Sequence, residues 1–104
     1  MPEASFGKST RWLTALTVDP GKCGVSRDDI IEALEKENIE ARPVWKPMHL
    51  QPLYEGCRYY PHEERWSISD RLFEQGFCLP SGSNLEREDQ ERVIDSVKRM
   101  FNNG

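Results

Sequence analysis

The feature that most constrains this chain is the stretch 46–66, which shows no steady hydrophobic period and is interrupted by Pro47, Pro52, Gly56 and Pro61. Proline lacks a backbone donor and glycine favours turns, so neither a long helix nor a regular strand can run through this stretch. Irregular loops of about 20 residues are uncommon in compact domains and tend to be functional where they occur. We therefore predict a long ordered loop with one short helical turn, and expect a site there.

The rest of the chain must build one small domain around this loop. Its 104 residues lie close to the lower limit at which a single apolar core readily stabilises a domain. With 37% hydrophobic and 31% charged residues, the composition supports one thin core and leaves little apolar material for a second. We predict residues 1–10 to be a linker or arm and residues 11–104 to be the folded domain.

Three segments are expected to form short strands. Apolar residues at the even positions of 11–18 predict a half-buried strand that Pro20 and Gly21 end. The segment 39–45 also alternates, but Pro43 lacks a ladder donor and restricts it to an edge strand or a strand end. Residues 77–80 are typical of a brief buried strand.

Capping signals and apolar stripes predict three helices between these strands. Ser26, with a carboxylate three residues later, begins a helix over 27–37. A similar pattern at Ser67 begins a helix of about nine residues, and Gly76 stands where a helix C-terminal glycine belongs. A final helix from about 86 to 101 carries one apolar stripe. The resulting order predicts a two-layer α+β fold, a short, mostly antiparallel sheet covered by helices.

Charge and cysteine usage narrow the function classes. Fourteen Lys and Arg against 18 Asp and Glu give a net charge of −4, so we expect no nucleic-acid partner. Cys23, Cys57 and Cys78 are too widely spaced for a disulfide framework or a paired metal site, and predict reduced thiols in the cytoplasm. His62 has no second ligand at metal-binding spacing, and no window is apolar enough to span a membrane.

The loop region offers groups for an anionic ligand. Arg42 and Lys46 supply cations, Trp45 supplies a flat apolar face, and His49 and Gln51 supply hydrogen-bonding groups. A nucleotide-sugar diphosphate or a dicarboxylate would suit them. The structural alternatives remain open, because tryptophan is more often a core residue, the two cations can be solvated ends, and a single histidine in a proline-rich loop is more often structural.

The sequence NIEARPVWKPMHLQPLY at 38–54 closely resembles a signature of the DegT/DnrJ/StrS family of sugar-nucleotide aminotransferases. The segment 76–85 and the helix after it are similar to that family's closing strand and C-terminal helix, and 11–14 to its first small-domain strand. The resemblance covers roughly 9–101 and corresponds to the C-terminal small domain of a fold type I enzyme.

This resemblance implies an enzyme whose large domain holds pyridoxal phosphate through a lysine, uses glutamate as amino donor, and aminates a nucleotide-linked keto-sugar for lipopolysaccharide, glycan or antibiotic-sugar synthesis. The small domain would close one side of the cleft. It would supply no catalytic residue, and would contact the substrate through Arg42, Trp45, Lys46, His49 and Gln51.

The large-domain motifs do not occur in these 104 residues. We therefore expect the chain to be inactive alone and to carry no pyridoxal phosphate, with the large domain and a nucleotide-sugar as its partners. Of its lysines, we expect only Lys46 to stand in a pocket. We also expect self-association through Trp12, Leu16 and Trp45. The alternatives are a free-standing module that binds a nucleotide-sugar or a protein, and a purely structural remnant.

Overall fold

The computed structural model describes residues 3–65 and 67–102, and its elements follow the predicted order. The elements are β1 (Thr14–Thr17), α1 (Pro20–Cys23), α2 (Arg27–Lys36), β2 (Arg42–Pro43), 3₁₀ turns at Met48–Leu50 and Pro52–Tyr54, α3 (Ile68–Gln75), β3 (Gly76–Leu79) and α4 (Arg87–Asn102). The long loop thus contains two short helical turns where the sequence predicted one. None of the helices in this described part combines the length and apolar character that crossing a bilayer requires.

The three strands form one antiparallel sheet in the order β1-β3-β2. Phe77 of the central strand lies opposite Leu16 on one side and Pro43 on the other. The prediction that Pro43 confines its strand to an edge is confirmed. Strand β1 is shorter than the predicted 11–18, because its ladder with β3 runs over Thr14–Thr17. Arg11, with a φ of 51°, also lies outside the extended region.

Helices α2 and α4 cover one face of this sheet. The buried core consists of residues from both helices, from β3 and from the segments that follow β1 and α2: Val18, Ile30, Leu34, Ile39, Phe77 and Val93. Successive side chains of a strand point to opposite faces. Ala15 and Arg42, which pair with Cys78, therefore lie on the other face, where both are exposed. The two-layer α+β fold is confirmed. We call the sheet face opposite the helices, which carries the exposed Ala15 and Arg42, the open sheet face.

Helix α2 is fixed at both ends. Ser26 accepts a hydrogen bond from the backbone N–H of Asp29, whose carboxylate accepts one from Ser26, so the predicted capping box is present. At the other end, Ser96 of α4 donates to the Glu37 carboxylate over 2.7 Å, and Arg99 donates to it over 2.8 Å. The Ser96 hydrogen bond, together with the charge of Arg99, lowers the pKa of Glu37 from its ordinary value of 4.5. These contacts tie α2 to α4.

Pro20 and Gly21 do more than end the first strand. Asp19 accepts a hydrogen bond from Gly21 N, and one turn of helix, α1, follows. It ends at Gly24, whose φ of 75° is the left-handed conformation that glycine adopts without steric cost. This turn leads the chain from the edge of the sheet to helix α2.

Candidate functional site

His49 is held between the long loop and the start of helix α3. Its Nε2 atom contacts the Asp70 carboxylate, and its ring stacks on Tyr59, with centroids 3.6 Å apart and planes 9° from parallel. Only 16% of the His49 side chain is exposed. The loop and the helix are therefore joined through this imidazole.

Tyr59 is itself anchored to the first turn of α3. Its hydroxyl lies 2.6 Å from Ser67 Oγ and 3.1 Å from Ser69 Oγ. Ser67 also accepts a hydrogen bond from the backbone N–H of Asp70, which makes it the N-cap of the helix. The sequence pattern at Ser67 predicted a helix cap alone, and the contacts of Asp70 and Tyr59 with His49 were not predicted because no local pattern reveals them.

A cleft of about 430 Å³ lies beside this cluster. It is lined by residues of the loop and of α3: Pro47, Met48, His49, Tyr54, Cys57, Arg58, Tyr59 and Ser69. Two tyrosine rings, a guanidinium and an imidazole provide stacking, charge and hydrogen-bonding groups, which together suit a polar ligand with an anionic part. Arg58 was not among the residues singled out from the sequence.

Arg42 and Trp45 lie at a different cavity, of about 330 Å³. Its wall comes from the open sheet face and the strand ends: Leu13, Glu40, Arg42, Pro43, Trp45, Cys78, Leu79, Pro80 and Ser81. Arg42 pairs with Glu40 over 2.5 Å with 78% of its side chain exposed, while the ring of Trp45 packs at a tilt against Trp12, 5.8 Å between centroids. The five predicted ligand-binding residues therefore do not line a single cavity.

Lys46 and Gln51 line neither cavity. Gln51 Nε2 donates to the backbone carbonyl of Lys46 over 3.0 Å, so this amide braces the loop. The Lys46 side chain is exposed. The expectation that Lys46 stands in a pocket therefore stays a prediction.

The lysines do not fit a covalent pyridoxal phosphate site on this chain. All five, namely Lys8, Lys22, Lys36, Lys46 and Lys98, are exposed, and none lines either of the two cavities described above. Such a site needs a lysine held against the cofactor and groups that tune its ring. Within residues 3–65 and 67–102, no cluster of three His, Cys, Asp or Glu side chains is placed to hold a metal ion.

Comparisons with known proteins match nearly the whole chain. The model of the DegT/DnrJ/EryC1/StrS aminotransferase family matches residues 2–98. The putative pyridoxal phosphate-dependent aminotransferase EpsN of Bacillus subtilis (strain 168) is 50% identical over 101 residues, which is 97% of this chain and 25% of the relative. GDP-perosamine synthase of Vibrio cholerae is 30% identical over 91 residues, covering 88% of this chain and 24% of the relative.

Solved structures match at the level of the fold. The aminotransferase TlmJ from Streptoalloteichus hindustanus superposes with a TM-score of 0.79 and 21% identity, over 99% of this chain and 25% of that one. Helicobacter pylori PseC, an aminotransferase involved in the biosynthesis of pseudoaminic acid, superposes with a TM-score of 0.70 and 21% identity, over 88% of this chain and 24% of that one. The chain spans about a quarter of the length of the relatives it matches.

Proposed function

Since this chain belongs to the DegT/DnrJ/EryC1/StrS aminotransferase family, we propose that it is the small domain of a pyridoxal-phosphate-dependent enzyme that aminates a nucleotide-linked keto-sugar. The observation that carries the proposal is the family match across residues 2–98. A two-layer fold and coverage of one quarter of each relative are what a small domain would give. The partner it requires is the large domain that holds the cofactor.

We propose further that the loop from Arg42 to Tyr54 faces the substrate in the complete enzyme. His49 and Arg58 at the loop cleft would meet the sugar and its anionic linkage, and the tyrosine rings beside them would exclude water. Arg42 and Trp45 would contact a separate part of the ligand from the second cavity. Gln51 would act by holding the backbone at Lys46, and Lys46 by its exposed charge.

A reducing cytoplasmic setting is part of the proposal. Cys23 and Cys57 are exposed, Cys78 is buried, and each is a free thiol. Proteins that function in oxidising compartments usually pair such cysteines, whereas cytoplasmic proteins keep them reduced.

One pair of measurements tests the assignment. The isolated chain mixed with pyridoxal phosphate is expected to give no stable adduct that borohydride fixes to one lysine, because every lysine side chain is exposed. A chimera in which this chain replaces the matching quarter of the Bacillus subtilis relative is expected to bind the cofactor and convert glutamate to 2-oxoglutarate. Mass spectrometry and a 2-oxoglutarate assay provide the readouts.

The matched control is the same relative with its own segment deleted, which is expected to lose amino transfer. A single modified lysine on the isolated chain would contradict the proposal that the large domain alone holds the cofactor. Lys46 is the first position to inspect. A chimera that binds cofactor but leaves glutamate unchanged would contradict the small-domain assignment.

Exposed apolar side chains and unpaired strand edges are also expected to make the isolated chain self-associate. Trp12, Trp45 and Leu16 are 70%, 68% and 40% exposed. Within residues 3–65 and 67–102, the outer edges of β1 and β2 pair with no further strand. Apolar patches and open edges favour association. Sedimentation velocity should show an average mass that rises with concentration, and Trp12→Ala with Trp45→Ala should reduce it. A control change at Tyr60, 79% exposed and outside the tryptophan pair, should not; a wild-type chain that stays monomeric throughout would refute the expectation.

A further inference from the structure

We propose that Asp70 and Tyr59 are positioning residues that orient the His49 ring with its Nε2 hydrogen on the Asp70 carboxylate, so that Nδ1 of the neutral imidazole is left to accept a hydrogen bond from a sugar hydroxyl. The inference rests on the proposed function for its ligand class, a hydroxyl-bearing sugar with an anionic linkage. The positioning itself rests on contacts within the chain.

The carboxylate of Asp70 decides which ring nitrogen carries the hydrogen. An ionised carboxylate can only accept hydrogen bonds, so the His49 Nε2 atom that contacts it must donate. A neutral imidazole has one donor nitrogen and one acceptor nitrogen, which makes Nδ1 the acceptor. The side-chain hydrogen bond that joins His49 to α3 runs through Nε2 and leaves Nδ1 outside this contact. The arrangement resembles the way that a carboxylate fixes the tautomer of a working histidine in other proteins.

Tyr59 fixes the orientation of the same ring. Its face lies 3.6 Å from the His49 ring, centroid to centroid, and its hydroxyl is held by Ser67 and Ser69. A turn of the imidazole about its bond to the chain would break the Asp70 contact and the stacking together. The ring is therefore restrained by two groups that both belong to, or are anchored on, the start of α3.

The cleft beside the ring has the chemistry for a phosphorylated sugar. A ring nitrogen without a hydrogen can accept a hydrogen bond from a sugar hydroxyl. The Arg58 guanidinium in the same cleft can donate hydrogen bonds to a phosphate. Tyr54 supplies a flat face of the kind that packs against a sugar ring. A volume of about 430 Å³ lies within the usual range of small-molecule sites, roughly 300–1,000 Å³.

Nitrogen-15 NMR of the histidine side chains tests the proposal on the 104-residue chain. The chain has only His49 and the exposed His62, so the second serves as an internal control. In mildly alkaline buffer, His49 is expected to show Nε2 as the hydrogen-bearing nitrogen and Nδ1 as the bare one, with an Nε2 hydrogen that exchanges slowly with water. His62 should show averaged nitrogens and fast exchange.

Asp70→Ala is expected to speed exchange of the His49 Nε2 hydrogen by about tenfold or more, the loss expected for one charge-assisted hydrogen bond. Tyr59→Ala should act in the same direction. Asp89→Ala, which removes the corresponding carboxylate from the first turn of α4, should leave His49 unchanged. If Asp70→Ala disturbs the backbone spectrum, Asp70→Asn, which preserves the shape of the side chain, should still speed the exchange.

The proposal is overturned if folded wild-type chain carries the hydrogen on Nδ1, if His49 behaves like His62, or if both Asp70 variants leave the exchange rate unchanged. None of these readouts needs cofactor or amino transfer. An inactive chimera with the expected His49 spectrum would therefore count against the proposed function alone, and an active chimera with a free His49 ring would count against the positioning alone.

Discussion

Leu34→Ala is expected to lower the free energy of unfolding of this chain by about 2–5 kcal/mol. Leu34 is 0% exposed and, with Ile30, is one of the fully buried side chains at the centre of the core. The change removes buried apolar atoms and leaves a cavity that two thin layers cannot easily close. Because domains are stabilised by only about 5–15 kcal/mol, this loss is a large fraction of the total.

Urea unfolding followed by circular dichroism measures this loss. The matched control is Leu53→Ala in the long loop, where the same side chain is 81% exposed and the expected change is within about 0.5 kcal/mol. Equal losses in the two variants would mean that the core does not lie where α2 and α4 meet the sheet. The unfolding slope should be unchanged, since the surface exposed on unfolding is nearly the same.

The helices were predictable from sequence because their signals are local. The cap at Ser26 and the apolar spacing that follows it predicted 27–37, and α2 runs over Arg27–Lys36. The strands were less predictable, because a strand extends only as far as its partner. The pairing of β1 with the four residues of β3 limits the ladder to Thr14–Thr17, whatever the alternation over 11–18 suggests.

Gly76 was correctly predicted to follow a helix, but the left-handed conformation expected of a helix C-terminal glycine is not the reason for glycine there. It follows α3 directly, as a C-terminal glycine should, but its φ of −93° and ψ of 138° are extended and open to any residue. A β-carbon at this position would lie 2.3 Å from the Leu72 carbonyl oxygen and 2.8 Å from a Val44 methyl carbon. Glycine is required there because the α3 backbone at Leu72 and the Val44 side chain after β2 both approach this position closely, which sequence alone does not reveal.

The site was predictable only in part, because it too depends on contacts between residues that are distant in sequence. Composition and the family signature pointed to the loop that contains His49, but His49 and Asp70 are 21 residues apart and meet through tertiary structure alone. Arg42 and Trp45 stand four residues and one residue before Lys46 in sequence, but they line another cavity because the sheet edge carries them away from the loop. Residues that are close in sequence need not line the same cavity.

The second large effect is expected at His49 in the active chimera. We expect His49→Ala to lower kcat/KM for the nucleotide-linked keto-sugar that the chimera accepts by about ten- to a hundredfold, because one hydrogen bond to the substrate is lost. Lys46→Ala should lower it by a smaller factor, since its exposed charge is screened by solvent. The conversion of glutamate alone should change little in either variant.

Stability and chemistry can be separated in this experiment because His49 also joins the loop to α3. Melting temperature and cofactor content are measured beside kcat/KM, with Leu53→Ala as the control for an exposed change in the same loop. Asp70→Ala supplies a further comparison: it keeps the imidazole but removes its restraint, so kcat/KM should fall by less than in His49→Ala while the melting temperature falls comparably. If activity in His49→Ala stays at the wild-type level, or falls only in step with unfolding, the imidazole serves the fold and the sugar is recognised elsewhere.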